Sequence, residues 1–108
     1  MKNKITFTYD GKDYVLEFTR KTVEEMERRG FVAEDFVKKP MTLLPTMFAG
    51  AFLANHRFTK RKLIDEIFEK IDDKEELINT LAEMYSIVID EYVEELERKD
   101  NGLPWKRI

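Results

Sequence analysis

The sequence contains no cysteine, and its 108 residues include one histidine and four glycines. The absence of cysteine excludes disulfides, thiolate zinc sites and cysteine nucleophiles. His56 lacks the companion ligands of a metal site, so we expect it to cap a helix end or to be solvated. The scattered glycines form neither a P-loop nor a dinucleotide fingerprint. We therefore predict a protein that is not an enzyme and that uses no metal or cofactor.

Long apolar runs are also missing. No segment approaches the roughly 20 apolar residues of a membrane span, and the first residues do not form the apolar run of a signal peptide. The net charge of −3 and a pI near 5.3 argue against general nucleic-acid binding. We expect neither a membrane nor a nucleic-acid partner, and a cytoplasmic location.

Aromatic and charged residues are abundant. Eight phenylalanines and a hydrophobic fraction of 43% are too many for a disordered chain, and 38% charged residues indicate a well-solvated, helical surface. A chain of this length is expected to form one domain with a small core.

Alternating apolar and polar residues in 5–18 predict a β-hairpin. A two-residue loop at Asp10-Gly11 or at Gly11-Lys12 keeps all the apolar side chains on one face, and Asp-Gly is the stronger type I′ signal. The side chains that would share this face are Ile5, Phe7, Tyr9, Tyr14, Leu16 and Phe18.

A short helix follows the hairpin without a linker. Thr19 or Thr22 can cap its start. Gly30 is expected to end it in a Schellman motif, with Phe31 contacting Met26.

The run from Asp10 to Phe31, DGKDYVLEFTRKTVEEMERRGF, resembles the start of the tail assembly chaperones of long-tailed bacteriophages and of related phage and prophage proteins of Gram-positive bacteria. This resemblance covers the first third of the chain in detail and the remainder in outline. It implies a non-enzymatic protein in the bacterial cytoplasm that holds the tape measure protein while the tail tube polymerises.

The middle of the chain is expected to make a short helical turn over 34–38 and to break at Pro40. The apolar segment 43–54 then predicts a buried helix, with Thr42 as a candidate N-cap and Pro45 in the first turn.

A further helix is predicted from Thr59 to near Asp72. Phe58 before the cap and Leu63 within the helix have the spacing of a hydrophobic staple.

Asp73 is expected to cap the longest helix, which would run to about Lys99 before Asn101-Gly102. We therefore predict an α+β protein, with an N-terminal hairpin, a mainly helical region and a long C-terminal helix. Residues 1–100 would form the domain and 101–108 a flexible tail.

The apolar residues of the long helix cover a wide sector of its surface. This sector is either one broad core face or a face with surplus apolar area for a partner or a second copy. The surplus alternative predicts weak homo-oligomerisation and adaptable contacts to a helical partner. The candidate partner-binding residues are Met47, Met84, Tyr92, Val93, Arg57, Lys60, Arg61 and Trp105.

Arg57, Lys60, Arg61 and Lys62 form a compact basic cluster. It is either a solvated surface that nearby carboxylates neutralise, or a site for an anion or an acidic partner. The second alternative would suit a small regulator or antitoxin-like protein that binds DNA or a protein target. Trp105 follows the last helix, where it could fold back, anchor a partner or remain disordered.

Overall fold

The computed structural model describes residues 3–98 and 103–107. Two strands come first and five helices follow, which confirms the α+β prediction with an N-terminal hairpin and a long C-terminal helix. The elements are β1 (Lys4–Tyr9), β2 (Lys12–Glu17), α1 (Arg20–Arg28), α2 (Ala33–Lys38), α3 (Pro40–Gly50), α4 (Arg61–Lys70) and α5 (Lys74–Glu97).

The hairpin has the Asp10-Gly11 register, because Tyr9 pairs with Lys12. Both loop residues have positive φ, at 49° and 79°, as a type I′ turn requires. The predicted apolar face is correct: Tyr14, Leu16 and Phe18 are buried in the core. The turn therefore sets which side of the hairpin meets the helices.

Helix α1 begins and ends as local sequence signals indicate. The side chains of Thr19 and Thr22 exchange hydrogen bonds with each other's backbone N–H, so Thr19 is the N-cap. At the other end, the Phe31 N–H donates to the Met26 carbonyl and the Gly30 N–H to the Glu27 carbonyl, both at 2.9 Å. This is the predicted Schellman ending.

The predicted bounds of α3 are wrong. The helix starts at Pro40, which occupies the first helical position, where proline is favoured. Thr42 therefore lies inside the helix, and Pro45 falls beyond its first turn. It ends at Gly50 and not at Ala54. The N–H groups of Phe52 and Leu53 bond three residues back, so the chain tightens there into turns.

The start of α4 also differs from the prediction. The Thr59 N–H donates to the His56 carbonyl at 3.1 Å, which places Thr59 in a turn, and the helix begins two residues later at Arg61. Phe58 is 94% exposed, so no hydrophobic staple forms. The helix ends at Lys70, short of the predicted Asp72.

Asp73 caps α5 as predicted, because its carboxylate accepts the Glu76 N–H at 3.2 Å. The predicted end at Lys99 and the stop at Asn101-Gly102 lie outside the described residues. Of the tail, residues 103–107 form neither helix nor strand.

The core lies where the hairpin face, the helices α1 to α4 and the first half of α5 meet. Phe18 and Phe31 both pack their rings against Tyr85, and Phe48 packs against Phe52. Contacts with α5 are therefore concentrated in its first three turns, where Leu77, Leu81, Met84 and Tyr85 are buried.

Candidate functional site

His56 joins the segment after α3 to the hairpin. Its Nε2 accepts the Val15 N–H at 3.0 Å, and its ring lies 5.0 Å from the Tyr14 ring. Burial lowers the pKa of His56 below its ordinary value, and the charge of Lys12 acts in the same direction. The predicted solvated or capping role is replaced by a structural one, because the neutral imidazole accepts a backbone hydrogen bond.

Asn55 and Ala51 continue this connection. The Asn55 amide donates to the Val15 carbonyl at 3.1 Å and to the Glu17 carboxylate at 2.8 Å, and the Glu17 N–H donates to the Ala51 carbonyl at 3.1 Å. Polar groups of residues 51–56 therefore fix the position of the turn after α3 relative to β2.

Arg57 is held by a carboxylate. Both of its terminal nitrogens donate to Glu25, at 2.9 and 3.1 Å, and Glu25 also pairs with Arg29. The hydrogen bond from Arg57 lowers the pKa of Glu25, and the charges of Arg57, Arg29 and Arg28 lower it further. Two guanidinium groups thus share one carboxylate on the surface between α1 and the 55–60 loop.

A groove of about 340 Å³ lies beside this pair, between α1, α3 and the start of α4. Its floor is apolar and includes Met26, Phe31 and Ile64, while Arg29, Arg57 and Arg61 are among the residues at its rim. An apolar floor with a cationic rim suits an amphipathic acidic ligand better than a bare anion.

A second groove of about 470 Å³ lies on the other side of the same loop, next to the hairpin turn. Lys12, Arg57 and Lys60 line it together with Tyr14 and Phe58, and no carboxylate lies among its lining residues. We call this the basic groove. Sequence reasoning missed Lys12 and Phe58, because only the folded hairpin brings residue 12 to the 55–60 loop.

The predicted basic cluster is only partly available. Arg57 is bound to Glu25, and Arg61 pairs with Asp65 on its own helix at 2.9 Å. Lys60 and Lys62 are exposed. The two cations that face the basic groove from this cluster are Arg57 and Lys60.

The second half of α5 extends beyond the core. Ile89, Val93 and Leu96 are 37%, 45% and 47% exposed, and their spacing places them on one side of the helix. We call these three residues the apolar stripe. Among the predicted contact residues, Val93 belongs to the stripe, whereas Tyr92 is half-buried beneath the Arg20 guanidinium, 3.9 Å from its ring centroid.

Met47 and Met84 occupy the core and not the surface. They are 2% and 1% exposed, so neither reaches a partner in this conformation. This corrects the prediction that these methionines contact a partner. Both lie in the most buried parts of their helices, α3 and α5.

Trp105 is 84% exposed and Leu103 is 88% exposed. The described part of the tail therefore presents two large apolar side chains to solvent. The structure does not show Trp105 folded back onto the domain, which was one of its three alternatives.

Within the described residues, no group of three histidine or acidic side chains is arranged to hold a metal ion. Over the same ranges, no helix combines the length and the apolar character that crossing a bilayer requires.

A family model described as "Domain of unknown function (DUF5055)" matches residues 1–107, which is almost the whole chain. No curated protein and no solved structure matches it significantly.

Proposed function

Since this chain belongs to the DUF5055 family of domains of unknown function, we propose its function from its residues and surfaces: it is a non-enzymatic chaperone of phage tail assembly that binds the tape measure protein in the bacterial cytoplasm. The observation that carries the proposal is the apolar stripe, three large aliphatic side chains that the second half of α5 exposes to solvent. The sequence resemblance over residues 10–31 supplies the biological setting.

The stripe suits a helical partner. Three aliphatic side chains spaced over two turns can pack against the apolar face of another amphipathic helix. A tape measure protein is long and helical, and it offers such faces repeatedly along its length.

The expected strength of one contact is low. Covering the exposed parts of three aliphatic side chains stabilises a complex by roughly 2–4 kcal/mol. That gain does not exceed the association cost of about 4–15 kcal/mol. Stable binding therefore requires many copies along one long partner, so that each bound copy raises the local concentration of the next.

Co-expression tests the proposal. The tape measure protein encoded by the same phage genome should remain soluble and co-purify with this chain. Val93→Glu should abolish both effects because it places a charge in the centre of the stripe. Val93→Glu is a cleaner probe than Tyr92→Lys, which would place a second cation against Arg20.

Asn79→Glu is the matched control, since it introduces the same charge at an exposed position about four turns away on the same helix. Both variants should retain the wild-type circular dichroism. Failure of the wild-type chain to solubilise or retain the tape measure protein would refute the proposal.

The second candidate is a small regulator that binds DNA or a protein target through Arg57, Lys60 and Arg61. Two of these cations already have carboxylate partners, so we rank it below the chaperone function. A salt-dependent shift of duplex DNA that is lost on changing these three residues would favour it instead.

A further inference from the structure

The two ends of the hairpin face surfaces of opposite charge. At the turn, the basic groove combines Lys12, Arg57 and Lys60 with the ring of Phe58, which is almost fully exposed. An exposed aromatic ring beside three cations offers both apolar area and charge to a ligand.

At the opposite end, Asn3 precedes β1 and lies beside the second half of α5. There it shares a shallow depression with Asp90, Glu91 and Glu94. Asp90 borders the apolar stripe, whereas Glu91 and Glu94 project from other sides of the helix, because successive residues are rotated by about 100°. This surface is the acidic counterpart of the basic groove.

The two surfaces cannot meet within one copy. A strand rises by about 3.3 Å per residue, so Asn3 and Tyr9 lie about 20 Å apart along β1, and Lys12 is the partner of Tyr9 across the turn. Arg57 and Glu94 already pair with Glu25 and Arg98, so the complementary charges of Lys12, Lys60, Asp90 and Glu91 can attract one another only between molecules.

We propose that the acidic end of α5 in one copy docks in the basic groove of the next copy. In this arrangement Asp90, Glu91 and Glu94 approach Lys12 and Lys60 of the next copy beside the exposed ring of Phe58, and the apolar stripe lies outside the contact. The second copy is the occupant that the charges select. A symmetric pairing of two acidic ends would instead bring like charges together, which is unfavourable.

Such a contact joins two different surfaces, so it leaves one of each kind free at the ends of every assembly. It is therefore heterologous, and it extends beyond a dimer unless the rotation closes a ring. The inference concerns the chain alone and does not rest on the proposed function, because no other protein takes part.

Sedimentation velocity across a concentration series tests it with the full chain. The mean mass should grow past that of a dimer as concentration rises at low ionic strength. It should fall back towards the monomer in about 1 M salt, where charges are screened beyond about 3 Å.

Charge reversal identifies the two surfaces. Lys12→Glu/Lys60→Glu reverses the basic groove, and Asp90→Lys/Glu91→Lys reverses the acidic end. Each double variant should associate at least about 10-fold more weakly than the wild-type chain. An equimolar mixture of the two variants should associate again, because each reversed surface then finds its complement.

Lys38→Glu/Lys39→Glu is the matched control for the basic-groove variant, since it makes the same change in net charge at exposed positions outside the groove. It should associate like the wild-type chain, and circular dichroism should show all variants folded. A monomer at every concentration, a closed dimer that neither reversal affects, or a mixture that fails to associate would each overturn the proposal.

Discussion

His56 accepts a hydrogen bond from Val15, which lies 41 positions earlier in the chain. The sequence places it at the end of an apolar segment, where a capping or solvated role is the ordinary expectation. Its actual partner is a backbone N–H of β2, and no local pattern around residue 56 indicates that contact. Single-residue roles were predictable where the partner is close in sequence, as for Asp73, and not where it is distant.

The contact of His56 predicts a pH dependence of stability. Above about pH 6.5 the imidazole is neutral in both the folded and the unfolded chain, so its contribution is fully present. As the pH falls through the lowered pKa of the folded state, the unfolded chain binds the proton more readily and this stability is lost.

Urea unfolding between about pH 5 and 8 should therefore show a larger loss of stability at low pH for the wild-type chain than for His56→Gln. Both chains share the same carboxylates, so their difference isolates the imidazole. Parallel pH profiles would show that the hydrogen bond to Val15 does not depend on the neutral ring.

Replacing Tyr85 by phenylalanine should not cause the loss of stability that a core substitution usually causes. Its hydroxyl is buried and has no hydrogen-bond partner among the described residues, and burial raises its pKa to about 12. Tyr85→Phe should leave the free energy of unfolding unchanged or raise it by up to about 1 kcal/mol.

Tyr9→Phe is the comparison, because the Tyr9 hydroxyl contacts Glu66 and Lys70 and its loss should slightly lower stability. Alkaline absorbance titration of the wild-type chain should show a tyrosine that titrates near pH 12, and this titration should be absent from Tyr85→Phe. A loss of stability well above 1 kcal/mol in that variant would reveal a partner for the hydroxyl.

At the level of elements, local signals predicted the hairpin, α1 and the start of α5 correctly. Each of these has a turn or cap whose atoms all lie within a few residues. The starts of α3 and α4 were wrong because equally good local signals compete there. Pro40 takes the start of α3 ahead of Thr42, and the turn closed by the His56 carbonyl removes Thr59 as a cap.

Gly11→Val should lower the free energy of unfolding by roughly 1–2 kcal/mol, because a β-branched residue is disfavoured at a φ of 79°. A Cβ at this position would meet no atom within 4 Å, so the loss would arise from the backbone and not from a clash. Thermal unfolding measures the change. Gly11→Asn is the control and should lose less, and equal melting temperatures for all three chains would contradict the turn assignment.

Gly50→Ala tests the contact between α1 and α3. A helical Gly→Ala change usually gains about 1 kcal/mol. Here the new Cβ would lie 2.5 Å from both Sδ and Cε of Met26, so the end of that flexible side chain must shift towards the groove that it lines. The lost packing of Met26 should offset the gain, so we expect the free energy of unfolding to stay within about 1 kcal/mol of the wild-type value.

In a Met26→Ala background the clash is removed, so the same Gly50→Ala substitution should become stabilising. Denaturant unfolding of the four chains gives the coupling between the two positions. Equal stabilisation by Gly50→Ala in the wild-type background would show that Met26 adapts at little cost.

At the scale of the whole molecule, the candidate surfaces were only partly predictable. The wide apolar pattern of α5 left open whether it was one broad core face or a face with a surplus, and Val93 and Trp105 were predicted as contact residues from it and from the tail. Which apolar residues of α5 are buried depends on how far the other elements reach along the helix. That packing, and not the local sequence, makes Met84 buried and Val93 exposed. Lys12 entered the basic groove only through the long-range packing of the hairpin turn.

Trp105 provides a check on the tail at this scale. As the sole tryptophan and with 84% exposure, it should show nearly the same fluorescence emission in the folded and the unfolded chain and be quenched readily by acrylamide in both. The emission should be measured on dilute protein, and far-ultraviolet circular dichroism should follow unfolding independently. The Trp105→Phe chain gives the fluorescence background. Native emission at clearly shorter wavelength would mean that the tail docks on the domain.

The polar groups of residues 51–56 also determine how the two-stranded sheet can grow. Outer strand edges are templates for pairing with other chains. Along β2 that edge is already occupied, because Ala51, Asn55 and His56 take up the outward N–H and carbonyl groups of Val15 and the N–H of Glu17. Any addition of a third strand, whether in a complex or in amyloid-like misassembly, must therefore begin at β1.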